Sequence, residues 1–169
     1  MITRLKDLRE DHDLKQKDIA DMFKDERSTY AYYETGKVAI PINKLCILAD
    51  FYNVSTDYIM FLTDKEKTID EVKINTKCKV IRTRLRELRN IHKLKQSYLA
   101  KLINKSQNTY SYYDLNLRNV PTDDLIVFCK FYKVSLDYML YRTNNIINYP
   151  DSIIRQNIEK LQNNIILTK

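Results

Sequence analysis

Apolar residues recur at three- and four-residue intervals in five short blocks between positions 5 and 62, and the same five blocks return eighty residues later. In the first set Leu5, Leu8 and His12 are followed by Ile19, Ala20 and Phe23, then Tyr30 and Tyr33, then Leu45, Leu48, Ala49 and Tyr52, then Tyr58, Ile59 and Leu62. The second set carries Leu85 and Leu88, Leu99 and Leu102, Tyr110 and Tyr113, Leu125 and Phe128, and Tyr138. Such spacing gathers apolar side chains on one stripe of a helix, so each set predicts five short helices. Pro41 and Pro121 suit the start of the fourth helix, where a missing amide costs nothing. Ser55 and Ser135 stand just before an acid and an apolar run, as N-caps of the fifth.

Residues 3–64 align with 83–144 without a gap, and 23 of the 62 positions are identical. A period this long is too large for a solenoid repeat and implies two copies of one independently folding domain. The chain therefore divides into a first domain at 1–64, a linker at 65–78, a second domain at 79–144 and a tail at 145–169. The linker is charged and has neither Gly nor Pro, and Thr68 with Glu71 gives a capping-box pattern for a short helix. In the tail, Ile154, Ile158, Leu161 and Ile165 follow a cap at Asp151 or Ser152 and form one apolar stripe. The stripe covers barely two heptads, which suits packing against a domain or against a dimer partner better than a free coiled coil.

Composition narrows the class. Gly occurs once and Pro three times, so the turn-rich signature of a β protein is missing and an all-α fold is expected. Cys46, Cys78 and Cys129 have no CxxC spacing and no clustered His, which argues against a disulfide framework and against a metal site. No apolar run approaches the roughly 20 residues of a membrane span, and residues 1–14 alternate charges where a signal peptide would be apolar, so a cytoplasmic chain without membrane association is expected. P-loop, Gly-rich phosphate cradle, HExxH motif and Cys/His pair are all missing from the sequence, so neither an enzyme nor a bound cofactor is expected. The Asp123-Asp124 pair reads as a helix N-terminal turn placed for the dipole.

Charge separates the two copies. Residues 1–64 carry 9 Lys+Arg against 12 Asp+Glu, whereas residues 79–144 carry 13 against 5. A domain of net +8 favours a polyanion as partner, and a domain of net −3 does not.

The ordered set of Leu-x-x-Leu-Arg, Gln-x-x-Ile-Ala-x-x-Phe, Thr-Tyr-x-x-Tyr-Glu-x-Gly, Ile-Pro and Ala-Asp-Phe-Tyr-Asn-Val-Ser-x-Asp-Tyr resembles the Cro/cI-type (XRE) helix-turn-helix family, over residues 3–63 and again over 83–143. The resemblance implies two tandem five-helix, lambda-repressor-like helix-turn-helix domains, followed here by the C-terminal helix. It also implies a sequence-specific DNA-binding transcriptional regulator, a repressor, that sets its third helix into the major groove of double-stranded DNA. An extended linker could reach about 45 Å, enough for both copies to meet one duplex.

Carried over position by position, Gln16 and Gln96 match the family's phosphate-contacting Gln. The base-reading positions fall on Glu26, Arg27, Ser28 and Tyr32 in the first copy and on Ser106, Gln107, Asn108 and Tyr112 in the second. Lys37 and Arg118 lie in the following loop, where the family touches backbone phosphates. Arg9 with Glu34, and Arg89 with Asp114, match an internal ion pair, while Tyr30, Tyr33, Tyr110 and Tyr113 form core-facing stripes. Tyr32 and Tyr112 are either readers or solvated rim residues. His12 and His92 end the first helix, where an imidazole suits the dipole.

The copies diverge where DNA would be read. Asp25 and Glu26 open the third helix of the first copy, and acids there oppose phosphates. In the second copy Gln107 and Asn108 can pair bidentately with adenine while Lys105 holds the backbone. The second copy is thus expected to supply most of the DNA affinity. The competing reading is a protein-interaction module, antitoxin-like, that acts on a protein partner through its acidic first domain. Lys24-Asp25 and Asn104-Lys105 replace the small-apolar pair usual at the turn before the third helix, and Asn116 replaces the single Gly36 at a position that tolerates a left-handed backbone.

Overall fold

The computed structural model describes residues 2–64, 66, 80–144 and 146, and among these the fold is all-α. The first five helices are α1 (Leu5–Asp11), α2 (Gln16–Phe23), α3 (Arg27–Thr35), α4 (Ile42–Tyr52) and α5 (Thr56–Ile59). The second five are α6 (Leu85–Ile91), α7 (Gln96–Leu102), α8 (Gln107–Asp114), α9 (Thr122–Tyr132) and α10 (Leu136–Met139). The two sets of five helices are those that the periodicity predicts. The helix expected in the linker and the C-terminal helix lie outside the described residues.

Local chemistry sets the helix ends. Ser55 Oγ accepts from the Tyr58 amide at 3.0 Å, and Ser135 Oγ accepts from the Tyr138 amide at 3.0 Å, so both fifth helices have the expected cap. Pro41 and Pro121 stand one position earlier than the first helical residue, as the N-caps of α4 and α9. There their lack of an amide is equally harmless, and their carbonyls accept from Leu45 and Leu125 at 3.0 Å.

Left-handed residues recur at equivalent sites, including Gly36 and Asn116, as the Gly-to-Asn replacement predicts, and Phe61 and Tyr141. A bulky aromatic residue at positive φ needs holding in place. Arg4 lies 4.1 Å over the Phe61 ring and donates to the carbonyls of Tyr58 at 2.6 Å and Thr63 at 2.8 Å. Arg84 makes the same clamp, 4.1 Å over Tyr141 and bonded to the carbonyls of Tyr138 and Thr143. Each clamp ties the start of its domain to its end.

Tyr30 and Tyr110 are fully buried beside Leu5, Ile19 and Leu45 in one domain and Leu85, Leu99 and Leu125 in the other, and the two cores join into one apolar cluster. They join where α5 meets α10. Asp57 Oδ1 accepts from the Leu136 amide at 2.7 Å, and Asp57 Oδ2 accepts from the Asp137 amide at 2.9 Å. In return, Asp137 Oδ1 accepts from the Thr56 amide at 3.2 Å and the Thr56 hydroxyl at 2.5 Å.

Thr56 is the counterpart of Leu136, and Asp57 of Asp137, so each carboxylate grips the helix start that carries the other. Reciprocity of this kind is the mark of a two-fold relation, here between unequal halves. Around it, Thr122 Oγ1 donates to the Ile40 carbonyl at 2.6 Å. The buried Arg142 places Nη2 2.8 Å from Asp50 and Nε 3.0 Å from Asp137.

Candidate nucleic-acid interface

In each domain a carboxylate near the end of the third helix fixes the corner that presents that helix. Glu34 receives Arg9 Nε at 2.6 Å and Gln16 Nε2 at 2.8 Å, so it joins α3 to α1 and to the first residue of α2. Asp114 does the same in the second domain, receiving Arg89 Nε at 2.8 Å, Arg89 Nη2 at 2.9 Å and Gln96 Nε2 at 3.0 Å. The carboxylates hold both arginine pKa values above the ordinary range, against the opposing pull of burial. The expected internal ion pairs are present. Gln16 and Gln96 each commit one amide hydrogen to this hub, which leaves the second hydrogen for an outside acceptor.

The core-facing tyrosines sit as their spacing implies: Tyr30, Tyr33, Tyr110 and Tyr113 are all buried. With that stripe turned inward, the opposite side of the third helix is displayed. Arg27 and Ser28 in the first turn of α3, and Gln107 and Asn108 in the first turn of α8, are exposed. Tyr32 and Tyr112, one turn on, are 44% and 45% exposed. Lys37 lies 5.5 Å over the Tyr32 ring, so the loop lysine and the rim tyrosine form one unit. Arg118 is exposed at the corresponding loop of the second domain.

Two expectations change in detail. Ser106 is the N-cap of α8, its Oγ accepting from the Thr109 amide at 3.1 Å, so its hydroxyl has a structural task at a position that the resemblance assigns to reading. Glu26 holds the same position before α3 without a side-chain cap bond.

Asp25 does not stand bare before a phosphate: Lys44 Nζ is ion-paired with it. The second domain has the charges reversed, with Lys105 at the place of Asp25 and Asp124 at the place of Lys44. Burial raises the Asp124 pKa, and the Lys105 charge opposes that rise. Lys105 therefore divides its charge between Asp124 and anything bound in front of it. Sequence reasoning missed this exchange, although the signal was present in the two sign reversals of the internal alignment.

Also missed was an apolar rim beyond the exposed tyrosine, Leu115 and Leu117 past Tyr112 in the second domain and Val38 past Tyr32 in the first. His12 and His92 are aromatic packing partners of Tyr52 and Tyr132, with ring centroids 5.0 and 5.3 Å apart. Among the described residues no group of three or more His, Cys, Asp or Glu could hold a metal ion, and no helix is long and apolar enough to cross a membrane.

A family model described as helix-turn-helix matches residues 5–59 and again residues 85–139. Over 78 residues the chain is 43% identical to a protein of Bacillus subtilis (strain 168) described as an uncharacterized HTH-type transcriptional regulator, YobD. That alignment covers 46% of this chain and 66% of the relative. No solved structure matches the chain.

Proposed function

The chain belongs to the helix-turn-helix family, and from that premise we propose that it is a sequence-specific DNA-binding transcriptional regulator that reads the major groove chiefly through α8. The observation that carries this reading is the pairing of Gln107 and Asn108, exposed in the first turn of α8, with a corner locked by Arg89, Gln96 and Asp114 in the basic half of the chain. Two amide side chains so placed can each offer adenine a donor and an acceptor. Gln96, Lys105 and Arg118 supply phosphate contacts around them, and Tyr112 supplies a rim against sugar or base. On the first domain, Arg27, Ser28, Tyr32, Lys37 and Gln16 form the corresponding but weaker face, because Glu26, Asp18 and Asp21 are exposed beside it. As a repressor it would act by occupying its site.

Selection of bound sequences from random DNA, followed by affinity measurement on the selected site, tests the proposal. Gln107→Ala with Asn108→Ala should cost about 1–3 kcal/mol for each bidentate pair with a base that is removed, and should relax the preference at those positions. Arg118→Ala should weaken binding to all sequences alike and flatten the salt dependence. An affinity and a selected sequence both unchanged by the double substitution would overturn the reading. That result would favour the antitoxin-like alternative, in which the acidic first domain binds a protein.

A further inference from the structure

The α5–α10 seam is built to join one domain to the other and to refuse a second copy of the same domain. Arg142 is 1% exposed, and its guanidinium lies against Asp50 of the first domain at 2.8 Å. The counterparts of these residues are not interchangeable: Leu62 stands where Arg142 would be, and Lys130 stands where Asp50 would be.

If two second domains met across the same two-fold relation, each buried Arg142 would face a Lys130. Two cations at a contact that buries Arg142 repel, and each Arg142 would keep Asp137 of its own domain but lose the second carboxylate, which Asp50 supplies. Thr56, whose hydroxyl and amide both serve Asp137, would be replaced by Leu136, which offers the amide alone. If two first domains met, Leu62 would leave Asp50 without a cation, and Ile42 would stand where Thr122 now bonds the Ile40 carbonyl. The Arg142–Asp50 ion pair in the seam forms only when first pairs with second.

We infer that this seam is a pairing code that makes one chain the complete two-headed DNA reader. It rests on the proposed function only for its DNA consequence: the target consists of two unlike half-sites read by one chain, with α8 on the stronger half and α3 on the weaker. The intramolecular partner also makes the joined state independent of protein concentration.

Hydrogen exchange on the full chain tests the code without DNA. The amides of Leu136 and Asp137, which donate to Asp57, should be protected to the same degree across a hundredfold range of concentration. Asp50→Lys, which places a cation against Arg142, should reduce that protection at least tenfold while core amides of each domain stay protected. Asp50→Asn, which adds no charge, should fall between the two. Asp50→Lys combined with Lys130→Asp offers Arg142 a carboxylate on another copy, so protection should return and now rise with concentration.

Protection that is concentration-dependent in the unaltered chain, or indifferent to Asp50→Lys, would overturn the inference. On the selected DNA, native mass spectrometry should find one chain per duplex and footprinting an asymmetric site. Two chains on a symmetric site would overturn it as well. Failure to bind any DNA would instead count against the proposed function and leave the exchange result standing.

Discussion

Replacing Asp57 by alanine removes the carboxylate that grips the start of α10, and the size of the effect follows from what it bonds. Its two oxygens accept the Leu136 and Asp137 amides at 2.7 and 2.9 Å, and the residue is 0% exposed. Hydrogen bonds to a charged group contribute about 1.5–3 kcal/mol each, and the substitution takes this partner from both amides. The change should therefore cost about 3–6 kcal/mol, a large part of the 5–15 kcal/mol typical of a whole domain. Asp57→Asn keeps one acceptor but turns a donor toward an amide donor, so it should lose more than half of that. Urea unfolding followed by circular dichroism is the assay. The unaltered chain should unfold in one transition, and Asp57→Ala should separate it into two as the domains uncouple. A loss below about 1 kcal/mol with a single transition retained would refute the reasoning, because the carboxylate would then not be what couples the two cores.

Ser106→Ala should lower stability by about 1 kcal/mol through loss of the α8 cap, whereas Glu26→Ala should not, since Glu26 makes no cap bond; thermal melts of the two variants compare them directly. Arg89→Leu leaves the buried Asp114 carboxylate with Gln96 but without a cation, and should cost about 3–5 kcal/mol by denaturant titration. Burial pushes the Cys46 thiol up to about 12 and Cys129 upward as well, so alkylation of the folded chain at pH 8 should leave both unmodified by peptide mapping. Asp124 has its folded pKa raised by burial, so its contribution is favourable below the ordinary carboxylate range and is lost as pH rises through the raised value. Asp124→Asn should accordingly raise the melting temperature at pH 7 and give no gain at pH 3; an equal effect at both would contradict the assignment.

The helices were legible because each records its own burial. Tyr30 and Tyr33, three apart, could only share one stripe, and the structure buries both. Ser55 and Ser135 announced the fifth helices through chemistry that acts over three residues. The exposed face of the third helix was legible by subtraction, since turning the tyrosine stripe inward leaves Gln107 and Asn108 outside. What local reasoning could not give was the use of a side chain by a distant one. Ser106 has the composition of a reader and the bond of a cap, and Asp25 has the position of a repelled acid and the partner of a neutralised one. Lys44 is nineteen residues from Asp25, and nothing within one helix turn of either residue announces the other.

The seam was hidden for a different reason. Aligning the copies sets Asp57 over Asp137 and Ser55 over Ser135, which shows that the two halves are alike but not that they touch. A two-fold contact joins a residue to the counterpart of its neighbour, so Asp57 meets Leu136 and Asp137 meets Thr56, a diagonal that no column of the alignment contains. The columns that differ carry the remaining information: Leu62 against Arg142 and Asp50 against Lys130 look like drift when read as pairs of equivalents. Read across the diagonal they become one ion pair, Arg142 with Asp50. On the proposed reading the halves differ on the seam for the same reason that they differ on α3 and α8: once joined in one chain, each needs to fit only the other.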